Sequence, residues 1–493
     1  MSVARKILSN TAFQIMGRAG VGLLSLVVIK IITSYLSVGK YGEYTNVYEF
    51  LALFAIIADF GLYTIAVREM SKNEDDIPKV LGNILSIRVL VGLIVLAGVM
   101  IGGFLIPSHQ GTQIPFAIMI ATTASFIALI NGTMTSVLQE KYKMQYAASA
   151  QIFGKIIQVG YMAMVAYVLF TLDTATGFYH LFLAGVLGNF AMLVFTIIVI
   201  RRYTPVRFRW DGDRIRYLLK QAAPYGLALF LSNIYFRADA ILVFNIRGRE
   251  EAGLYGVAAR LLEALSILPI YFMNAVLPTL TKHIKEKRDS YKRILQYVFD
   301  FQLLLALPFL VGGFILSIPL IHIIAKPEFV SGFNGLMYGS DVALQIVLFS
   351  FVLIALNVIF NFTLIAIGKQ SQLVWINGVC ALFNVIANLI VIPMYGFIGA
   401  ALATVASEIL VFILVFLTVK RFLPFTINLG RAVRIVLSVG LMGVVVYFLR
   451  EPTFNLLQNY NVLVLVPLGA AVYAGALFAT RAVSKEQLKM LRK

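Results

Sequence analysis

The stretch Leu36-Ser37-Val38-Gly39-Lys40-Tyr41-Gly42-Glu43-Tyr44 opens a segment that passes through a long apolar tract. The segment then reads Ala58-Asp59-Phe60-Gly61-Leu62 and leaves at Val67-Arg68-Glu69. Its opening returns as Ala252-Gly253-Leu254-Tyr255, where the Gly and the Tyr both stand 211 positions after Gly42 and Tyr44. In both copies a long apolar helix precedes the motif and another follows it. A chain that repeats itself halfway along is built as two lobes.

The composition fixes the solvent. Of 493 residues, 60% are hydrophobic and 13% charged, and the mean hydropathy is +0.88. Soluble domains carry about half apolar and about a quarter charged residues, so this chain is an integral membrane protein. Its apolar runs are about 20 residues or longer, which makes them helices and not the short alternating strands of a barrel. In a soluble protein a net charge of +18 would suggest nucleic acid. Here the basic residues sit mostly in loops between spans, where they set orientation, and no nucleic-acid partner is expected. Cys380 is the single cysteine, so an intrachain disulfide and zinc-type cysteine spacing are both excluded. The first apolar run, 11–36, is too long for a cleaved signal peptide and contains Arg18 and Lys30, so it reads as a retained span.

Fourteen spans are expected, at roughly 12–35, 44–66, 81–106, 114–138, 146–170, 178–200, 217–245, 252–278, 294–324, 342–367, 371–394, 397–419, 431–449 and 462–480. An even count places both termini on one side. With the N-terminus cytoplasmic, inner segments hold about 30 of the 41 Lys and Arg and outer loops about 5. The expected site is therefore the cell's inner, cytoplasmic membrane, crossed many times, with both termini in the cytoplasm. The stretch 205–220 mixes Phe208, Trp210 and Tyr217 with four arginines, and it is expected to form a short helix at the inner headgroups, as is the tail from 481. Gly98-x-x-x-Gly102 is expected to pack inside the third span's bundle.

Two span ends extend the duplication. Span six closes with Arg201-Arg202-Tyr203-Thr204-Pro205 and span twelve with Lys420-Arg421-Phe422-Leu423-Pro424. The fold class is thus all-α and polytopic: an N-lobe over 1–207, a C-lobe over 208–424, and two further spans with a cytoplasmic tail over 425–493. Six spans per lobe is an even number, so the copies share one orientation and are related about the membrane normal.

The turn Gly39-Lys40-Tyr41-Gly42-Glu43-Tyr44, the Asp59-Phe60-Gly61-Leu62 step and the Val67-Arg68-Glu69 exit resemble the polysaccharide transporter, or oligosaccharide flippase, family. The same family's second signature resembles Asn384, Asn388, Ile392-Pro393-Met394-Tyr395-Gly396-Phe397-Ile398-Gly399-Ala400-Ala401 and Ala403-Thr404. The family belongs to the multidrug, oligosaccharidyl-lipid and polysaccharide exporter superfamily, whose members include O-antigen flippases, the lipid II flippase and multidrug antiporters. The resemblance covers about residues 1 to 480. It implies a pair of six-helix bundles with a cavity lined by spans one, two, seven and eight. It also implies transfer of a glycan on undecaprenyl diphosphate, within lipopolysaccharide or related polysaccharide synthesis. Membrane lipids, a glycan polymerase and glycosyltransferases of the same pathway are the implied partners.

The residues agree on where chemistry lies. The sequence has no Gly-rich phosphate loop, metal-binding His pair or nucleophile elbow, so no catalytic or metal residue and no cofactor is expected. Coupling to a proton, sodium or the membrane potential is expected in their place. A charge at mid-bilayer costs about 2.5–3.5 kcal/mol on insertion scales and faces a partner or a wet cavity. The candidate substrate-binding set is Arg237, Arg18, Arg260, Asn233 and Lys30. The candidate coupling or bracing set is Asp239, Glu263, Glu49 and Asp59. Arg237 and Asn233 are four apart and share a helix face, whereas Arg237 and Asp239 do not. Arg260 and Glu263 are one turn apart, so a local pair competes with a ligand role. Glu49 and Asp59 are the carboxylates that would brace Arg237 if it bound no ligand. Asp59 suits a helix-end role, and Lys30 an interface anchor. Arg88, Lys155 and Asp300 lie nearer span ends and are expected to snorkel.

Three functions compete at this level. A lipid-linked oligosaccharide flippase leads, because Arg18, Arg237 and Arg260 are the deep charges. An ion-coupled multidrug antiporter or a lipid II flippase of the same fold follows. A membrane glycan polymerase or ligase comes last, because the outer loops are too short to present catalytic groups.

Overall fold

The computed structural model describes residues 3–72, 74–170, 174–286 and 289–482. It is helical throughout and has no strand among the described residues. The helices are α1 Val3–Tyr35, α2 Val38–Asp59, α3 Leu62–Met70, α4 Ile77–Leu105, α5 Ile114–Glu140, α6 Met144–Met164, α7 Ala175–Ile200 and α8 Gly212–Arg247. They continue as α9 Arg249–Lys285, α10 Ser290–Ile315, α11 Ser317–Ile324, α12 Ser340–Ala366, α13 Gln370–Phe422, α14 Gly430–Leu457 and α15 Val462–Ala479.

Among the described residues ten stretches are long and apolar enough to cross a membrane, and two of these, 53 and 50 residues long, cover two spans each. The first is α13, which contains Pro393 and breaks at Gly396, where φ is 60°. Only glycine adopts that turn without strain. The second is α14 with α15. Adding α1 and α8 gives the fourteen spans expected.

The chain packs as two compact units, Met1–Gly253 and Leu254–Lys493. In the first, α3, α4, α5, α7 and the start of α8 share a core around Leu62, Ile65, Met70, Ile84, Val137, Ile200 and Leu218. Helices α6 and α7 touch backbone to backbone. A Cβ on Gly154 would stand 2.5 Å from the Gly188 carbonyl, and one on Gly188 would stand 2.7 Å from the Gly154 carbonyl. Lipid gives helices no hydrophobic reason to associate, so this close approach supplies the attraction. In the second unit Ala306, Phe351 and Ala355 form a core against Leu262 and Leu265.

Four local expectations change. The opening motif is not a turn: Ser37 caps α2, accepting from the Lys40 amide at 3.5 Å, and 38–44 is already helical. Its glycines serve packing instead. The second span, Val38–Met70, is broken inside: α2 ends at Asp59, because Phe60 and Gly61 take φ of 47° and 72°, and α3 continues it. The stretch 205–220 is not a separate surface helix. Its first part is extended, with the Arg209 amide bonded to the Gly82 carbonyl and the Asp211 amide to Asn83 Oδ1, and from Gly212 it is the first turns of α8. Gly98 meets nothing within 4 Å; the close contact on α4 is made by Gly103 against Ile118, at 2.7 Å. The tail beyond 482 lies outside the described residues.

Candidate functional site

The polar seam of the first unit runs between α2 and α8. Glu49, in the apolar middle of α2, is buried, and its carboxylate accepts from Arg237 Nη1 of α8 at 2.7 Å. The Arg237 side chain keeps 21% of its surface open, against 7% for Glu49. One turn before Arg237, Asn233 donates from Nδ2 to the Ala52 carbonyl at 2.8 Å. The four-residue spacing therefore places Asn233 and Arg237 on one face, and α2 supplies an acceptor to each. Asp239 is buried two residues on. At low dielectric such an ion pair is held by its geometry, and removing one partner strands the other.

The remaining candidates lie elsewhere. Asp59 ends α2 and accepts from Arg88 of α4. Arg88 does not snorkel. It is 1% exposed and also donates to the Leu129 carbonyl at 2.8 Å and to Thr133 Oγ1 at 2.9 Å. Arg260 and Glu263, in the second unit, pair at 2.9 Å. Asp300 is buried and accepts from Arg431 at 3.1 Å, so it too stays inside. Lys30 is exposed, and the Arg18 side chain lies outside the described residues.

Two groups escaped sequence reasoning. At the start of α2, buried Glu43 accepts from Lys40 Nζ at 3.3 Å and from Arg249 Nη1 at 3.2 Å. Beside it, a Cβ on Gly42 would lie 1.9 Å from the Arg249 carbonyl, and one on Gly253 would lie 2.1 Å from the Val38 carbonyl. Val38 and Arg249 are themselves 211 apart, so the two copies of the repeat meet reciprocally, as a local two-fold requires. In the second unit buried Glu408 accepts from Asn357 Nδ2 at 2.6 Å, and Asn384 donates to Ser407 Oγ at 3.2 Å. The Oδ1 atoms of Asn357 and Asn384 are buried with no hydrogen-bond partner. A lone acid in the middle of span twelve was the available signal. Outside the spans, His109 is buried. Its Nε2 faces Asn46 Nδ2 at 3.0 Å and its Nδ1 the Gly103 carbonyl at 3.3 Å, so Nδ1 carries the proton and Nε2 accepts. Burial pushes its pKa down, against a smaller opposing effect of the Gly103 carbonyl.

A seam of paired charges among long apolar helices is the architecture of a polytopic membrane protein. The family model described as polysaccharide biosynthesis protein matches residues 7–284, more than half the chain, and the MatE model matches 224–390. An uncharacterised membrane protein of Methanocaldococcus jannaschii is 23% identical over 478 residues, 91% of this chain and 90% of that protein. The lipid II flippase MurJ in an inward closed conformation superposes with a TM-score of 0.77 at 17% identity, covering 96% of this chain and 99% of that one. An inward-facing multidrug resistance MATE family transporter of the MOP superfamily superposes with a TM-score of 0.66 at 15% identity, covering 81% and 95%. The chain belongs to the polysaccharide biosynthesis protein family, and its fold is that of these two solved structures.

Proposed function

We propose that the protein is a flippase that carries an oligosaccharide linked to undecaprenyl diphosphate from the inner to the outer leaflet by alternating access. The family match over residues 7–284 carries this reading. The seam supports it: a diphosphate leaving water needs charge-assisted donors, and a guanidinium offers them in a planar fork. Arg237 supplies that group, with Asn233 on the same face. Glu49 holds the guanidinium while no anion is bound. Glycosyltransferases would make the substrate and a polymerase would consume it. Deleting the gene should leave the lipid-linked glycan on the inner face of intact cells, and re-expression should restore export. Normal export without the protein would remove the proposal.

The second reading is a multidrug antiporter, favoured by the MatE match at 224–390. It predicts efflux of cationic drugs. Paired, part-open Arg237 does not suit such cargo. For coupling, Glu408 is the buried acid that would take up a proton or sodium, with the buried Oδ1 of its partner Asn357 as a further acceptor.

The loop charges support cytoplasmic termini. In a Cys380→Ser background, cysteines at exposed Gln110 and Gln458 should react with an impermeant thiol reagent in intact cells. Cysteines at Arg202 and Lys420 should not. The reverse pattern would invert the orientation and the direction of transport.

A further inference from the structure

The second unit contains a cavity of about 770 Å³ where α11 and the loop after it face the end of α14 and its turn into α15. Its size falls within the roughly 300–1,000 Å³ of small-molecule sites. Phe333, Phe448 and Phe454 present aromatic surface to it, and Arg450, Glu451 and Asn461 present polar groups. Exposed aromatics at a span end are the usual interfacial belt, but a belt does not account for the polar set. Arg450 and Glu451 are sequence neighbours whose side chains make no ion pair, either with each other or with another described residue. Asn461 is 0% exposed, and its Nδ2 donates to the Arg450 carbonyl at 3.3 Å and to Thr453 Oγ1 at 3.5 Å. Those partners fix which end of the amide is the oxygen, and that oxygen is buried with no hydrogen-bond partner.

We infer that this cavity binds neutral sugar residues. Besides Ser331, Tyr447, Asn459 and His322, neutral at pH 7 in the formal count, the wall offers one cationic donor, one anionic acceptor and one orphaned amide acceptor, which together carry no net charge. Sugar hydroxyls both donate and accept, so they satisfy all three. Apolar sugar faces lie flat on aromatic rings. A phosphate headgroup is only an acceptor, so Glu451 and Asn461 Oδ1 would both oppose it. With cytoplasmic termini the cavity lies on the outer side, where the exported glycan emerges. This exit role rests on the flippase reading; the sugar site itself does not.

The test uses the full chain in nanodiscs and saturation-transfer NMR, with cellotetraose and chitotetraose as probes and inorganic pyrophosphate as the anionic control. Saturation transfer to at least one tetrasaccharide is expected. Phe448→Ala and Glu451→Gln, both at exposed positions, should fold normally and weaken binding about fivefold or more. Transfer to neither sugar, or transfer unchanged in both variants, would overturn the site. Binding of pyrophosphate in place of sugars would overturn the ligand class. Flipping of lipid-linked glycan is measured on the same preparations. Sugar binding without flipping would refute the function while leaving the site intact, and flipping without sugar binding would do the reverse.

Discussion

The double variant Glu49→Gln/Arg237→Gln is expected to reach normal membrane abundance and to lose glycan export at least about tenfold. The argument rests on separating a brace from a ligand contact. Arg237→Ala alone leaves a carboxylate buried without its cation, which costs about 3–5 kcal/mol in comparable buried pairs. Low abundance would then hide any effect on transport. Neutralising both partners removes that penalty, because two amides can hydrogen-bond across the 2.7 Å seam. Stability should recover and the charge should not. A charged hydrogen bond contributes about 1.5–3 kcal/mol, so losing the guanidinium from a diphosphate contact predicts a loss of roughly tenfold to a hundredfold. Arg237→Lys should fold, since one charge still meets Glu49, yet should export poorly because an ammonium lacks the planar fork. Export is measured per molecule of protein in the membrane. Full export by the double variant would reduce Arg237 to a strut between α2 and α8.

Gly42→Val and Gly253→Val should each abolish folding or transport, while Gly98→Ala should do neither. A side chain at Gly42 would place its Cβ 1.9 Å from one backbone carbonyl, and at Gly253 2.1 Å from another. Backbone cannot rotate aside as a side chain can. The helix starts must separate, at a cost above the about 1–3 kcal/mol of an ordinary overpacked core. Separation would also pull Arg249 away from buried Glu43, at 3.2 Å. Gly98 has nothing within 4 Å, and alanine there removes about 1 kcal/mol of helix penalty. Detergent-solubilised yield and melting temperature report the difference. Wild-type yield and export for both valine variants would refute the reciprocal contact.

The spans, their number and the repeat are legible in the sequence because bilayer thickness and turn chemistry are local demands. The Gly-Tyr repeat marks the right residues, yet it reads as a turn. A glycine needed for φ above zero and one needed for close approach look identical in sequence, and Gly42 is of the second kind. Asp59 suits the end of α2, but the left-handed turn at Phe60 is not legible, since a bulky residue at positive φ has no compositional signal. Among the charges, hydropathy reports the cost of transfer but not the partner that offsets it. Arg88 lies near a span end, within reach of water by position alone. Its guanidinium instead turns inward to Asp59, because α5 offers the Leu129 carbonyl and Thr133 beside it. The sequence offers the Arg237–Glu49 and Arg260–Glu263 pairs as alternatives to a ligand role. Spacing alone can define the second, which is local, but not the first, which joins helices 188 residues apart.

The central claim is movement of a lipid-linked glycan across a bilayer. Purified protein is reconstituted into vesicles carrying a fluorescent oligosaccharide on undecaprenyl diphosphate, and an impermeant quencher is added outside. The account predicts that label shielded in the inner leaflet becomes quenchable in vesicles with the protein and stays shielded in empty ones. The rate should respond to an imposed proton or sodium gradient and lose that response in Glu408→Gln. A shielded fraction that stays as protected as in empty vesicles, together with gradient-driven uptake of a cationic dye, would contradict the account and establish the antiporter.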